Sequence, residues 1–167
     1  MKQKINYLKW AGYLFAFLFI YIIQTTPGIL PSKVPFLLFG AVVVLAMFEG
    51  EIAGAAFGVI FGLLWDIQFG SVIGFNALLL MVIGVFAGLM ISGLLQNKLV
   101  SYLIITAIGI TFHFLIKWFF FSLLWGRQTS FLTTIYSFLF ELLLGILFSI
   151  PIYYGGRTLS RRFAKVE

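Results

Sequence analysis

The chain of 167 residues is 62% hydrophobic and only 10% charged, whereas a soluble domain carries about a quarter charged residues. That much apolar surface excludes a water-soluble fold of this size and points to an all-α, polytopic membrane protein. The absence of cysteine excludes disulfides, thiolate metal sites and a thiol nucleophile, and the single histidine, His113, leaves little for zinc or histidine-base chemistry. The net charge of +6 collects at the two ends of the chain rather than in a groove-like patch, a pattern of membrane topology and not of nucleic-acid binding.

The first helix is expected from about residue 7 to 23, behind Lys2, Lys4 and Lys9. Gln24, Thr25, Thr26 and Pro27 offer no small-x-small cleavage site, so it reads as a retained span. The proline-rich stretch from Pro27 to Pro35 is a connecting loop. A second helix follows over 35–48, with Pro35 in the favoured first-turn position. Glu49, Gly50 and Glu51 form a solvated turn, and a third helix covers 52–65. At ~21 Å each, both members of this hairpin are short for a full crossing.

Further helices over 72–95, 99–125 and 133–154 bring the count to six, in one membrane domain spanning 1–167. An even number puts both termini on one side, and the positive-inside rule makes that side the cytoplasm. Lys2, Lys4, Lys9, Lys98, Arg157, Arg161, Arg162 and Lys165 then lie inside, against Lys33 and Arg127 outside.

Within this frame the stretch from Gly50 to Gly74 carries glycine at every fourth position, with Asp66 as the exception. On a helix, Gly54, Gly58 and Gly62 make one stripe without side chains, where another backbone can approach. The fourth helix has a matching set at Gly84, Gly88 and Ser92. Packing between these two helices is the simplest use; the alternative is a docking seam for a partner's helix, formed by Gly54, Gly58, Gly62 and Asp66. Gly70 and Gly74 belong to the turn after the third helix. Asp66 is expected to hydrogen-bond backbone donors or Asn76 across that turn, although an ionisable residue in a membrane segment also raises a functional reading.

The residues "GVIFGLLWDIQFGSVIGFNALLL" from Gly58 to Leu80, with Gln24 and Pro35 before them, resemble the rod shape-determining protein MreD family over roughly residues 10 to 80. The resemblance implies a non-enzymatic component of the bacterial cell-elongation machinery, in the cytoplasmic membrane. It also implies an MreC-like single-span protein, an MreB-like cytoskeletal protein, a SEDS glycosyltransferase and a class B penicillin-binding protein as partners, with membrane lipid around it and no cofactor. The family's six-helix design is similar to that of the S-components of energy-coupling-factor transporters, and a small-molecule binding subunit is the alternative function. The outer half, with Asp66, Asn76, Arg127, Gln128 and Thr129, offers few side chains for such a pocket.

Beyond about residue 95 the reading rests on the residues alone. Gly109, His113 and Lys117 share one face of the fifth helix, and Glu141, Gly145 and Ser149 share one of the sixth. Counting from a turn near Thr129 puts Lys117 level with Glu141, His113 with Gly145 and Gly109 with Ser149. A lone charge at that depth costs at least ~3 kcal/mol, so a buried Lys117–Glu141 pair with His113 one turn away is expected. A proton relay or the floor of a pocket is the functional alternative. No nucleophile and base pair, metal cluster or phosphate-cradling loop is present in the sequence to suggest an enzyme.

Overall fold

The computed structural model describes residues 2–26, 36–69, 72–94, 98–120 and 131–164. Those residues form six helices: α1 (Lys2–Thr25), α2 (Phe36–Glu49), α3 (Glu51–Phe69), α4 (Phe75–Leu94), α5 (Lys98–Trp118) and α6 (Phe131–Ala164). No strand occurs among them. The segments Tyr7–Thr25, Glu51–Phe69, Leu99–Trp118 and Thr134–Phe163 are long and apolar enough to cross a membrane, while Phe36–Glu49 and Phe75–Met90 are shorter apolar stretches. The all-α membrane architecture expected from the sequence is therefore present, with four helices of spanning length and two short ones.

Several boundaries move. Helix α3 continues to Phe69 instead of stopping near Trp65, and α6 runs through Gly155 and Gly156 to Ala164. The second glycine is used for packing and not for termination, since a Cβ there would come 2.8 Å from Val44 Cγ1 on α2. Helix α5 gives way to π-type backbone at 119–120, and the remainder of its expected course lies outside the described residues. The Pro27–Pro35 loop, Gly70 and the turn near Thr129 lie outside them too.

Helix α2 is the hub. It is apolar on every side, a pattern that suits complete burial, and each residue from Phe36 to Ala46 is buried. It packs against α1, α3, α4, α5 and α6. Gly50, at φ 94°, lets the chain turn directly from α2 into α3: its N–H donates to the Ala46 carbonyl, and its own carbonyl accepts from Gly54. Few L side chains tolerate that backbone.

Helix α1 docks through aromatic side chains, with Phe17 against Phe57 and Phe61 at ring distances of 4.9 and 5.0 Å. Its first half runs beside the end of α6, where Gly12 faces Leu159 and Phe163. At that end Lys9 pairs with Glu49, and the Tyr13 hydroxyl donates to Glu49 Oε1 at 2.8 Å. The expectation of a solvated Glu49 is thereby corrected. Its side chain is largely buried and tied to α1, because Lys9 and Tyr13 share one face of that helix.

Candidate functional site

The glycine stripe of α3 is filled from within the chain. Gly58 faces the Leu80 carbonyl, which a Cβ would approach to 2.7 Å, and Gly62 faces the backbone of Asn76 and Ala77. Gly84 lies against Gly54, and Gly88 against Glu51. Backbone meets backbone along the whole seam, as small residues on both helices permit. Reading Gly54, Gly58, Gly62 and Asp66 as a docking seam for a partner helix is therefore corrected: α4 occupies the stripe, and Asp66 is fully buried. Gly84 and Gly88 supply the matching face, while the side chain of Ser92 lies outside the described residues.

At one end of this seam Asp66 caps α4. Gly74, at φ 94°, occupies the position before the first helical residue, and its carbonyl accepts from Leu78. A glycine there has no side chain to satisfy the free N–H groups of the first turn. The Asp66 carboxylate does so from the neighbouring helix, accepting from the N–H of Gly74 at 2.9 Å, of Asn76 at 3.2 Å and of Ala77 at 3.4 Å. The positive end of the α4 dipole favours the same charge.

The network continues inward. Asn76 Nδ2 donates to Asp66 Oδ1 at 2.6 Å, and Asn76 Oδ1 lies 2.8 Å from His113 Nε2. The carboxylate takes the amide NH2, so the amide oxygen is turned to the histidine, which must donate through Nε2–H. The bond partners thus fix both the amide orientation and the imidazole tautomer. Phe39 of α2 meets the imidazole edge to face at 5.1 Å. Asp66, Asn76 and His113 are all buried, and together they join α3, α4 and α5.

The α5 face carrying Gly109 and His113 is turned to α4. Gly109 faces Ile83, and the bond of His113 is to Asn76. The expected registers of His113 with Gly145 and of Gly109 with Ser149 are therefore not formed. Gly145 instead receives the side chain of Ile110, and Ser149 donates to the Gly145 carbonyl at 2.6 Å. The physical reason is that Asn76 offers the imidazole an acceptor, whereas Gly145 offers only space. Lys117 lies one turn further along the same face of α5 and is half-buried, as is Glu141 on α6.

Sequence reasoning passed over Tyr102, whose hydroxyl donates to the Gly40 carbonyl at 3.2 Å in the middle of the bundle. Only α2's central place explains that contact, and no motif announces it. The Lys9, Tyr13 and Glu49 cluster had a weak signal, a lysine and a tyrosine four apart on the first helix. Among the described residues, no three His, Cys, Asp or Glu side chains converge on a possible metal position. The site is a chain of hydrogen bonds that locks α3, α4 and α5 together.

The family model for the rod shape-determining protein MreD matches residues 1–162. The chain belongs to the MreD family. Neither curated proteins nor solved structures give a match. Membership assigns a role in rod shape determination, a structural role and not that of a known enzyme family. The apolar helices agree with a membrane protein.

Proposed function

We propose that this protein is a non-enzymatic membrane scaffold of the rod complex. It binds an MreC-like single-span protein and, with it, an MreB-like filament, a SEDS glycosyltransferase and a class B penicillin-binding protein. The family match over 1–162 is the observation that carries this reading. The burial of α2 from Phe36 to Ala46 among the described helices supports it, because a packed central helix suits a scaffold. Both termini are taken as cytoplasmic from the charge bias. Lys117 and Glu141, half-buried rather than buried as expected, form a structural pair that holds α5 to α6.

With α4 seated on the glycine stripe, partner helices meet outward-facing side chains instead. The test is affinity purification of the intact protein in mild detergent, with co-purifying proteins identified by mass, beside a Gly58→Leu, Gly62→Leu variant. Wild type is expected to bring down the MreC-like protein and wall synthases, and the variant to lose its fold. A variant that stays folded yet loses only the MreC-like protein would restore the stripe as a partner seam. Recovery of transporter ATPase subunits in place of these partners would overturn the scaffold.

A further inference from the structure

The far end of α6 carries three arginines on a helix whose candidate membrane segment, Thr134–Phe163, has 30 residues. At 1.5 Å per residue it measures ~45 Å, about 15 Å more than a hydrocarbon core requires. The surplus falls after Tyr154, where the sequence changes from apolar residues to Gly155, Gly156 and Arg157. Tyr154 is 52% exposed, as suits an aromatic side chain at the water boundary. Measured from it, Arg157 and Arg162 lie ~4.5 and ~12 Å further along the axis. Those depths belong to the headgroup layer, roughly 5 to 8 Å thick on each side, and its outer edge.

Arg161 and Arg162 are exposed and Arg157 is half-buried. Among the described residues none of the three makes an ion pair. Lys9, at the same end of the bundle, differs, because Glu49 neutralises it. Arg157 and Arg161 are one turn apart on the same face, and Arg162 adjoins them. Guanidinium groups in such a cluster match phosphate oxygens in geometry as well as charge.

We infer that Arg157, Arg161 and Arg162 form a binding surface for the phosphate headgroups of anionic phospholipids in the leaflet that surrounds this end of α6. The occupant is a lipid and not a soluble anion because the surface lies at headgroup depth, directly beyond the apolar part of the same helix. It does not depend on which side of the membrane the termini occupy.

The intact protein, purified in a neutral detergent, is offered phosphatidylglycerol or phosphatidylcholine, and retained lipid is counted by native mass spectrometry. Wild type is expected to retain phosphatidylglycerol preferentially. The R157Q/R161Q/R162Q variant should bind it at least about tenfold more weakly with unchanged phosphatidylcholine retention, and Arg→Lys substitutions at the same positions should recover part of the loss. Equal retention of both lipids by wild type would overturn the inference. So would an equal loss in a K2Q/K4Q variant, which would mark a diffuse charge effect. Displacement by free glycerophosphate at the same concentration would assign the surface to soluble phosphate instead. Helical content and monodispersity of each variant are recorded first, and the salt dependence of the wild type gives a reading independent of any variant.

Discussion

Helices α3 and α4 meet through backbone, whereas α5 and α6 meet through side chains. Between the first pair the glycines at 54, 58 and 62 oppose Ala77, Leu80 and Gly84 at main-chain distance. Between the second, Gly145 receives the Ile110 methyl, and Phe114 lies on Phe138 at 4.5 Å. The sequence has four-residue spacing of small or polar residues in both pairs. Spacing alone does not decide the contact; what the opposite helix presents does. Small residues on both sides bring backbones together, and a small residue on one side makes a socket for a side chain.

The largest expected effect follows from that difference. A Cβ on Gly62 would enter the backbone of Ala77, which cannot yield without parting the helices. A Cβ on Gly145 meets only the end of the Ile110 side chain, which can rotate away. Gly62→Ala should therefore cost about 3 kcal/mol or more, at the upper end for overpacking, and Gly145→Ala about 1 kcal/mol. Unfolding of both variants in detergent measures the contrast. Equal costs would mean that the α3–α4 seam yields as readily as a side-chain contact.

Next in size is Asp66→Ala. It strips acceptors from the first turn of α4 and leaves the Asn76 amide without the group that orients it, for an expected cost of about 2 to 3 kcal/mol. Asp66→Asn keeps one acceptor oxygen and should recover part of this. The two substitutions also separate the cap from the seam. Hydrogen exchange at Gly74, Asn76 and Ala77 should rise in Asp66→Ala while exchange near Gly58 stays protected; loss of protection along the whole of α3 would show that the cap and the seam fail as one unit.

The element types and the glycine stripe were legible in the sequence because periodicity reports which residues share a helix face. The Asp66 and Asn76 neighbourhood was legible as well, since only a short turn separates two helix ends. What faced what over longer separations was not. Counting outward from one turn assigned His113 to Gly145, but such counting knows nothing of a third helix, and the acceptor on Asn76 lies 37 positions away in the chain. Likewise Glu49 read as solvated because its burial is made by Lys9 and Tyr13 of α1, 36 positions before it in the case of Tyr13. Local signals are legible; pairings between helices distant in the chain are not.

The side-chain contact of α5 with α6 makes a smaller, distinctive prediction. If Lys117 and Glu141 form the proposed pair, removing one strands the other, and Lys117→Met with Glu141→Gln should be less harmful than the sum of the single changes. The coupling expected is about 1 to 2 kcal/mol. Additive costs in the double-mutant cycle would rule out the pair, leaving α5 and α6 joined by apolar contacts alone.

The smallest effect concerns α1, which docks through aromatic side chains and a polar tie at one end. Its tie to α2 is the Tyr13 hydroxyl and the Lys9 ammonium, both on Glu49. Tyr13→Phe removes one neutral donor and leaves the ion pair, so it should cost about 1 kcal/mol. Lys9→Met leaves the carboxylate with the tyrosine alone in a largely buried position and should cost more, because the stranded group is the charged one. The order of the two variants carries the information. If Tyr13→Phe were the worse, the aromatic ring's hydroxyl would be holding the carboxylate in place and the lysine would be contributing only a screened surface charge.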